Sequence, residues 1–136
     1  MLIRNRKYSK MEVERARCRR FFFVSSAGAV DTRHHPTWSD YDELKGCAGS
    51  RLIILFFTAT WCGPCQQIKQ PYHTMAEKEE YNAVFCEVDV DEAGDLLSSF
   101  GVTCMPTFVF VKDGIQLDKL EGASLGNLRK RIEKHE

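Results

Sequence analysis

A continuous run of apolar residues from Leu52 to Phe57, followed closely by a Cys-Gly-Pro-Cys element, constrains this chain most. Gly49 and Ser50 precede the run, and the Gly63-Pro64 turn follows it. A short apolar segment bounded by turn residues is typical of a strand that is buried on both faces. We therefore expect this segment to lie in the middle of a sheet.

Hydrophobic periodicity and turn residues place seven further elements along the chain. Helices are predicted from an N-cap at Ser39 to about Gly46, over Cys62 to about Lys78, over Glu92 to Phe100, and from Ser124 to about Lys134. Strands are predicted over Ala83 to Asp89, Thr107 to Lys112 and Ile115 to Glu121. The order αβαβαββα favours parallel pairing between strands separated by helices, and Asp113-Gly114 indicates a closing antiparallel hairpin.

The length favours a single domain. The chain has 136 residues, of which 43% are hydrophobic and 28% are charged, enough for one ordinary core and one ordinary surface. The folded pattern begins at Ser39, so we predict a domain over residues 39–136 behind an N-terminal extension over residues 1–38. The longest strictly apolar run is far shorter than the roughly 20 residues of a membrane-spanning helix, and we expect no membrane partner.

The formal net charge of +0 hides an asymmetry. Residues 1–20 contain eight Lys or Arg and two Glu, or +6, which leaves −6 on the rest of the chain. Nucleic-acid affinity depends chiefly on Lys and Arg that neutralise phosphates. An acidic body therefore argues against nucleic-acid binding by the domain.

The extension fits several interpretations incompletely. It is Arg-rich like a mitochondrial transit peptide, but Glu12 and Glu14 are unusual in one. Its apolar block over residues 21–24 is short for a secretory signal, although Ala27-Gly28-Ala29 resembles a cleavage site. A disordered basic extension, or a translation start at Met11, is the plainer interpretation. We expect a cytoplasmic protein, with mitochondrial targeting as the alternative.

Six cysteines are present, and only Cys62 and Cys65 are close in sequence. A zinc site normally needs a second Cys or His pair to complete its tetrahedron, and the sequence lacks one. Isolated cysteines fit a reducing compartment better than a disulfide framework. Cys86, within a predicted strand, is interpreted as a core residue.

The position of the cysteine pair predicts redox chemistry. Cys62 falls at the start of a predicted helix, where unsatisfied backbone N–H groups and the helix dipole stabilise a thiolate. Cys62 is therefore the predicted nucleophile, and Cys65, one turn inside the helix, the predicted resolving thiol. Gly63 and Pro64 shape the turn, and Trp61 is expected to cover the pair with apolar surface.

The segment Ala59-Thr60-Trp61-Cys62-Gly63-Pro64-Cys65 resembles the active-site motif of the thioredoxin family. The resemblance continues through Phe85 to Asp91, Val102 to Phe108 and Glu121 to Ala123, and covers about residues 39–136. It implies the thioredoxin fold, an α/β architecture with a central mixed sheet of four to five strands flanked by helices. It also implies dithiol–disulfide exchange on protein substrates without a bound cofactor. The resemblance further implies that a thioredoxin reductase supplies the electrons from NADPH.

The resemblance also assigns roles to single residues. Pro106 would be a cis-proline facing the disulfide, which leaves the backbone of Met105 available to an extended substrate. Gly122 and Ala123 would complete an apolar docking groove with Met105 and the active-site turn. Cys104 lies where related cytosolic proteins also carry cysteine, and it would support an intermolecular disulfide or remain a passive thiol in a monomer.

The chain departs from the family pattern in three places. Phe56 stands where the family usually has a buried Asp, which would accept the proton of the resolving thiol. The helix proline falls one residue late, at Pro71, and is expected to kink the helix. The first strand of the fold is hard to place because residues 31–37 contain two His and a Pro.

Three functions compete on these observations. A protein-disulfide reductase is the leading hypothesis. A redox-dependent binding or regulatory module with low turnover is the alternative, and Phe56 favours it. Metal binding through Cys62 and Cys65 together with an oligomeric partner is the third.

Overall fold

A computed structural model describes residues 38–78, 81–91 and 94–136. Its helices are α1 (Trp38–Ala48), α2 (Gly63–Glu77), α3 (Gly94–Ser99) and α4 (Leu125–His135). Its strands are β1 (Leu52–Thr58), β2 (Ala83–Asp89), β3 (Thr107–Lys112) and β4 (Ile115–Glu121). The predictions for the N-terminal extension, for a first strand over residues 31–37 and for Glu92 lie outside the described residues.

The described strands form one mixed sheet in the order β2-β1-β3-β4. Strand β1 runs parallel to β2, and Leu52 lies opposite Ala83. On its other side β1 runs antiparallel to β3, and Ile53 lies opposite Val111. All seven residues of β1 are buried. The prediction that the apolar run lies in mid-sheet is confirmed.

The expected parallel pairing is wrong for β3, which runs antiparallel to β1 although a helix separates it from β2. A parallel β3 would have to start at the opposite edge of the sheet, about 23 Å away for a seven-residue strand. Helix α3 has only six residues and rises about 9 Å. The connection therefore stays at the edge where β2 ends, and β3 begins there.

Alternation along β1 divides the core into two layers. Leu52, Ile54 and Phe56 belong to a buried cluster that includes side chains of α2 and α4. Ile53, Leu55 and Phe57 belong to a second cluster, with side chains of α1 and α3. A strand covered on both faces favours apolar side chains, which explains why its first six residues, Leu52 to Phe57, are all apolar.

The helix boundaries differ from the predictions at both ends of α1 and at the end of α3. Helix α1 continues to Ala48, so Gly46 lies inside it, and Gly49 follows with a positive φ of 60°. Helix α1 begins at Trp38, so the predicted N-cap Ser39 lies inside the helix, and the prediction is wrong. The Trp38 ring packs 5.8 Å from that of Tyr41 and 6.1 Å from that of Phe100, contacts that hold Trp38 in the first turn. Helix α3 ends at Ser99, and Gly101 follows with a positive φ of 67°. Ser124 caps α4 as predicted.

Pro71 lies inside α2 without ending it.

Among the described residues, no helix has the length and apolar character needed to cross a bilayer.

Tyr72 joins helix α2 to the sheet beneath it. Its ring is fully buried, and its hydroxyl lies 2.7 Å from the carbonyl oxygen of Cys86 and 3.2 Å from that of Ile54. Burial raises the pKa of Tyr72 well above its usual value, so the phenol stays protonated and donates. The hydroxyl therefore holds α2 over both β1 and β2.

We predict that Tyr72→Phe lowers the free energy of unfolding by about 1 kcal/mol, since it removes one buried hydrogen bond while keeping the ring. Urea denaturation of the oxidised protein measures the change. Tyr81→Phe is the control, because the Tyr81 hydroxyl makes only long contacts of 3.4 Å near the surface. Equal effects of the two substitutions would contradict the prediction.

Candidate active site

Cys62 is the N-cap of helix α2, at the edge of the sheet where β1 ends. Its backbone is extended, with φ −93° and ψ 110°, and its sulfur accepts a hydrogen bond from the backbone N–H of Cys65 at 3.3 Å. Pro64, in the first helical turn, has no N–H that would need a partner. The helix therefore presents an N–H donor and the positive end of its dipole to the Cys62 sulfur.

Cys62 and Cys65 form a disulfide, and their Cα atoms lie 5.3 Å apart. Cys62 is 7% exposed and Cys65 is 0% exposed. The predicted geometry is confirmed: the first cysteine lies at the helix start, and the second is more deeply buried within the first turn. The pair takes up two electrons when its S–S bond is broken and releases two electrons when the bond forms again.

Trp61 is 67% exposed, and its ring is fixed by an acidic residue from the end of β2. The indole N–H donates to the Asp91 carboxylate, with Nε1 lying 3.1 Å from Oδ2 and 3.4 Å from Oδ1. The Asp89 carboxylate accepts the backbone N–H of Asp91 at 2.9 Å. Asp89 and Asp91 together therefore orient Trp61.

The residues around Pro106 lie at the same edge of the sheet. The Met105–Pro106 peptide bond is cis, and the carbonyl of Pro106 accepts the backbone N–H of Gly122 at 2.9 Å. Met105 packs against the buried cluster that contains Cys62 and Cys65. Gly122 has a positive φ of 98°, a backbone conformation that favours glycine. Gly63, Pro64 and Ala123 are exposed, Met105 and Gly122 are partly exposed, and Pro106 is buried.

The remaining described thiols differ in their surroundings. Cys104 is exposed, and the hydroxyl of the neighbouring Thr107 donates to its carbonyl oxygen at 2.7 Å. Cys86 is buried in the core, as predicted. Within residues 38–78, 81–91 and 94–136, no three His, Cys, Asp or Glu side chains are grouped to hold a metal ion.

Phe56 fills the position beneath the cysteine pair where a carboxylate was expected from the family pattern. It is fully buried, and its ring stacks on Phe108 at 4.8 Å with an interplanar angle of 10°. The Tyr72 ring lies 4.9 Å away on another side. Phe56 is thus an integral part of an aromatic core.

Glu87 is the acidic residue opposite Phe56, on the adjacent strand β2. Both of its carboxylate oxygens have partners, since Oε1 lies 3.0 Å from Nζ of Lys69 and Oε2 lies 2.7 Å from Nε2 of His73. Burial raises the pKa of Glu87, but the hydrogen bonds from His73 and Lys69 outweigh it and lower the pKa below the usual value. A carboxylate with a lowered pKa is a poor proton acceptor, so Glu87 does not replace the missing Asp.

Comparisons with known proteins agree on one family. The Thioredoxin family model matches residues 39–134. The chain is 46% identical to thioredoxin of Ictalurus punctatus over 89 residues, which cover 65% of this chain and 83% of that protein. It is 43% identical to thioredoxin-1 of Caenorhabditis elegans over 97 residues, which cover 71% of this chain and 84% of that protein.

Solved structures show the same likeness. The Fasciola hepatica thioredoxin superposes with a TM-score of 0.69 at 38% identity, over 72% of this chain and 93% of that chain. Thioredoxin NaTrxh from Nicotiana alata gives a TM-score of 0.67 at 34% identity, over 73% of this chain and 87% of that chain. The four-stranded mixed sheet with its flanking helices is therefore the thioredoxin fold, as the sequence resemblance implied.

We predict that Phe56→Asp, which would restore the usual carboxylate of the family, lowers the free energy of unfolding by at least about 3 kcal/mol, because it removes a stacked ring and buries a polar group. Phe56→Leu, which keeps the site apolar, should cost clearly less. Urea denaturation of both variants measures the difference. A Phe56→Asp protein as stable as the wild type would contradict this account of the aromatic core.

Proposed function

The chain belongs to the thioredoxin family and is a dithiol–disulfide oxidoreductase, and we propose that its physiological activity is the reduction of disulfides in protein substrates. The observation that carries this proposal is the position of Cys62. Its sulfur caps the 15-residue helix α2 and accepts the backbone N–H of Cys65. That position favours the thiolate, which is the form that attacks a disulfide.

Two exchanges transfer the electrons. The Cys62 thiolate attacks one sulfur of the substrate disulfide, forms a mixed disulfide and expels the other substrate sulfur as a thiolate. The Cys65 thiol then loses its proton and attacks the Cys62 sulfur, which expels the second substrate thiolate. The substrate gains two electrons, and Cys62 and Cys65 are oxidised to the disulfide.

Substrates would dock on the exposed residues that border the cysteine pair. Trp61 and Met105 offer apolar surface, and Gly122 and Ala123 offer little side-chain bulk. Pro106 is itself buried, and its cis bond would set the position of the Met105 backbone. An extended segment on either side of a substrate disulfide would pair with the Met105 backbone, as in the addition of a strand to an exposed edge. Specificity would then depend more on shape than on charge.

The oxidised pair has to be reduced before another cycle. We propose that a thioredoxin reductase supplies the electrons from NADPH, so the domain would need no cofactor of its own. The protein would act as a monomer, and the exposed Cys104 would support a disulfide-linked dimer under oxidising conditions. The proposed location is the cytoplasm, with the mitochondrion as the alternative, and fusion of residues 1–38 to a fluorescent reporter distinguishes the two.

A redox-dependent binding module is the second candidate, and Phe56 is the observation that favours it. Because Phe56 stands in place of the family's buried Asp, the deprotonation of Cys65 loses its usual proton acceptor. Slow attack by Cys65 would lengthen the lifetime of the mixed disulfide and so favour substrate binding over turnover. Turnover number therefore separates the two candidates.

We predict that the chain reduces insulin disulfides with NADPH and a thioredoxin reductase, and also with dithiothreitol in place of the reductase. Cys62→Ser should reduce the rate to that of the reductant alone, because the attacking sulfur is lost. Cys65→Ser should retain the first exchange and accumulate a mixed disulfide with insulin, visible on a non-reducing gel. Cys104→Ser is the matched control and should keep full activity.

A folded wild-type protein without turnover under either reductant would overturn the reductase proposal. Capture of the substrate by Cys65→Ser in that case would support the binding module instead. Loss of activity in Cys104→Ser equal to that in Cys62→Ser would contradict the assignment of the nucleophile.

A further inference from the structure

Thr58, the last residue of β1, has a buried hydroxyl without a hydrogen-bond partner among the described residues. Thr58 is only 4% exposed, and Thr58 Oγ1 is shielded from solvent. Buried polar side chains in folded proteins almost always have partners, and an unpaired hydroxyl costs free energy. Valine has nearly the same shape and would avoid that cost. A threonine at this position therefore suggests that the hydroxyl has a function.

The sheet geometry places Thr58 on the side of the cysteine pair. Side chains two residues apart on a strand share a face, so Thr58 lies on the same face as Phe56. Phe56, Cys62 and Cys65 belong to one buried cluster, and so does Ala59, the residue after Thr58. The Ala59 carbonyl accepts the backbone N–H of Cys62 at 3.2 Å and the side-chain amide of Gln66 at 3.1 Å. The end of β1 is therefore bound to the turn of α2 that carries Cys65.

Other polar side chains on this face have partners elsewhere in the oxidised structure. Asp89 lies opposite Thr58 in the parallel register, and its Oδ1 accepts the backbone N–H of Asp91 at 2.9 Å. Glu87 is held by Lys69 and His73, and the Tyr72 hydroxyl is bonded to strand carbonyls. In the structure, the Cys65 sulfur is bonded to Cys62 and carries no charge. Reduction turns this sulfur into a thiol that has to ionise during the second exchange.

We propose that the Thr58 hydroxyl donates a hydrogen bond to the Cys65 sulfur once the disulfide is broken and so stabilises the thiolate that attacks Cys62. This inference rests on the proposed disulfide reductase function. An alcohol is too weak a base to accept the Cys65 proton near neutral pH, so the proton passes to a base in solution. The oxygen then donates to the negative sulfur, and a hydrogen bond to a charged group is stronger than a neutral one. Thr58 would thus partly compensate for Phe56.

The test separates the two exchanges in a single turnover with the chromogenic disulfide 5,5′-dithiobis(2-nitrobenzoate). Attack by Cys62 releases the first coloured thiolate, and attack by Cys65 on the resulting mixed disulfide releases the second. The full-length chain is used with Cys18, Cys47 and Cys104 replaced by Ser, so that the active-site pair dominates the signal. Rates are measured from pH 5 to pH 9.

We expect Thr58→Val to slow the second release by about tenfold, to shift its pH profile to higher pH and to leave the first release unchanged. Thr58→Ser, which keeps the hydroxyl, should restore the second rate to within a few-fold of the wild type. The oxidised Thr58→Val protein should be at least as stable as the wild type in urea, because no hydrogen bond is lost in that state.

A second release that is equally fast in Thr58→Val and in the wild type would overturn the inference. So would equal slowing of both releases, or a loss of stability in the oxidised variant, because these would indicate a structural bond, for example to Asp89. Failure of the proposed function gives a different result, since the wild-type chain would then show no rapid first release.

Discussion

The burial of β1 on both faces is the constraint on which the rest of the structure depends. Its alternate side chains enter two separate cores, so a shift of one residue would exchange the partners of every side chain. The strand therefore has one register, and it delivers Cys62 to a fixed place at the edge of the sheet, where α2 begins. A cysteine at that place receives an N–H donor from the helix without any further adjustment of the backbone.

The short connection from β2 to β3 completes the site. Because α3 is too short to return along the sheet, β3 starts at the edge where β1 and β2 end, and the residues before β3 lie beside the cysteine pair. The hydrogen bond from Gly122 to Pro106 brings the end of β4 to the same edge. Cys62, Pro106 and Gly122, far apart in sequence, thus lie at one edge of the sheet through topology, while Asp91 fixes Trp61 from beyond the end of β2.

Most of the helices and strands could be predicted from the sequence, because the patterns that indicate them are local. The apolar run, the Asp113-Gly114 hairpin and the Ser124 cap each act within a few residues, and their elements are confirmed. The direction of β3 was predicted wrongly, because the helix before it was taken as a sign of parallel pairing, whereas the direction depends on the connection that contains the short α3. The bond from Trp61 to Asp91 spans 30 residues, and the unpaired hydroxyl of Thr58 depends on its surroundings in the folded chain. No local pattern encodes either.

The central claim is that the start of α2 activates Cys62, and alkylation of the reduced protein by iodoacetamide tests it most directly. The thiolate is the reactive form, so the rate at pH 6.5 reports how much of each thiol is ionised. Rates for Cys62 in Cys65→Ser are compared with those for the exposed Cys104 in the same chain by mass spectrometry of peptides. The account predicts that Cys62 reacts at least about ten times faster than Cys104. Equal rates would contradict it.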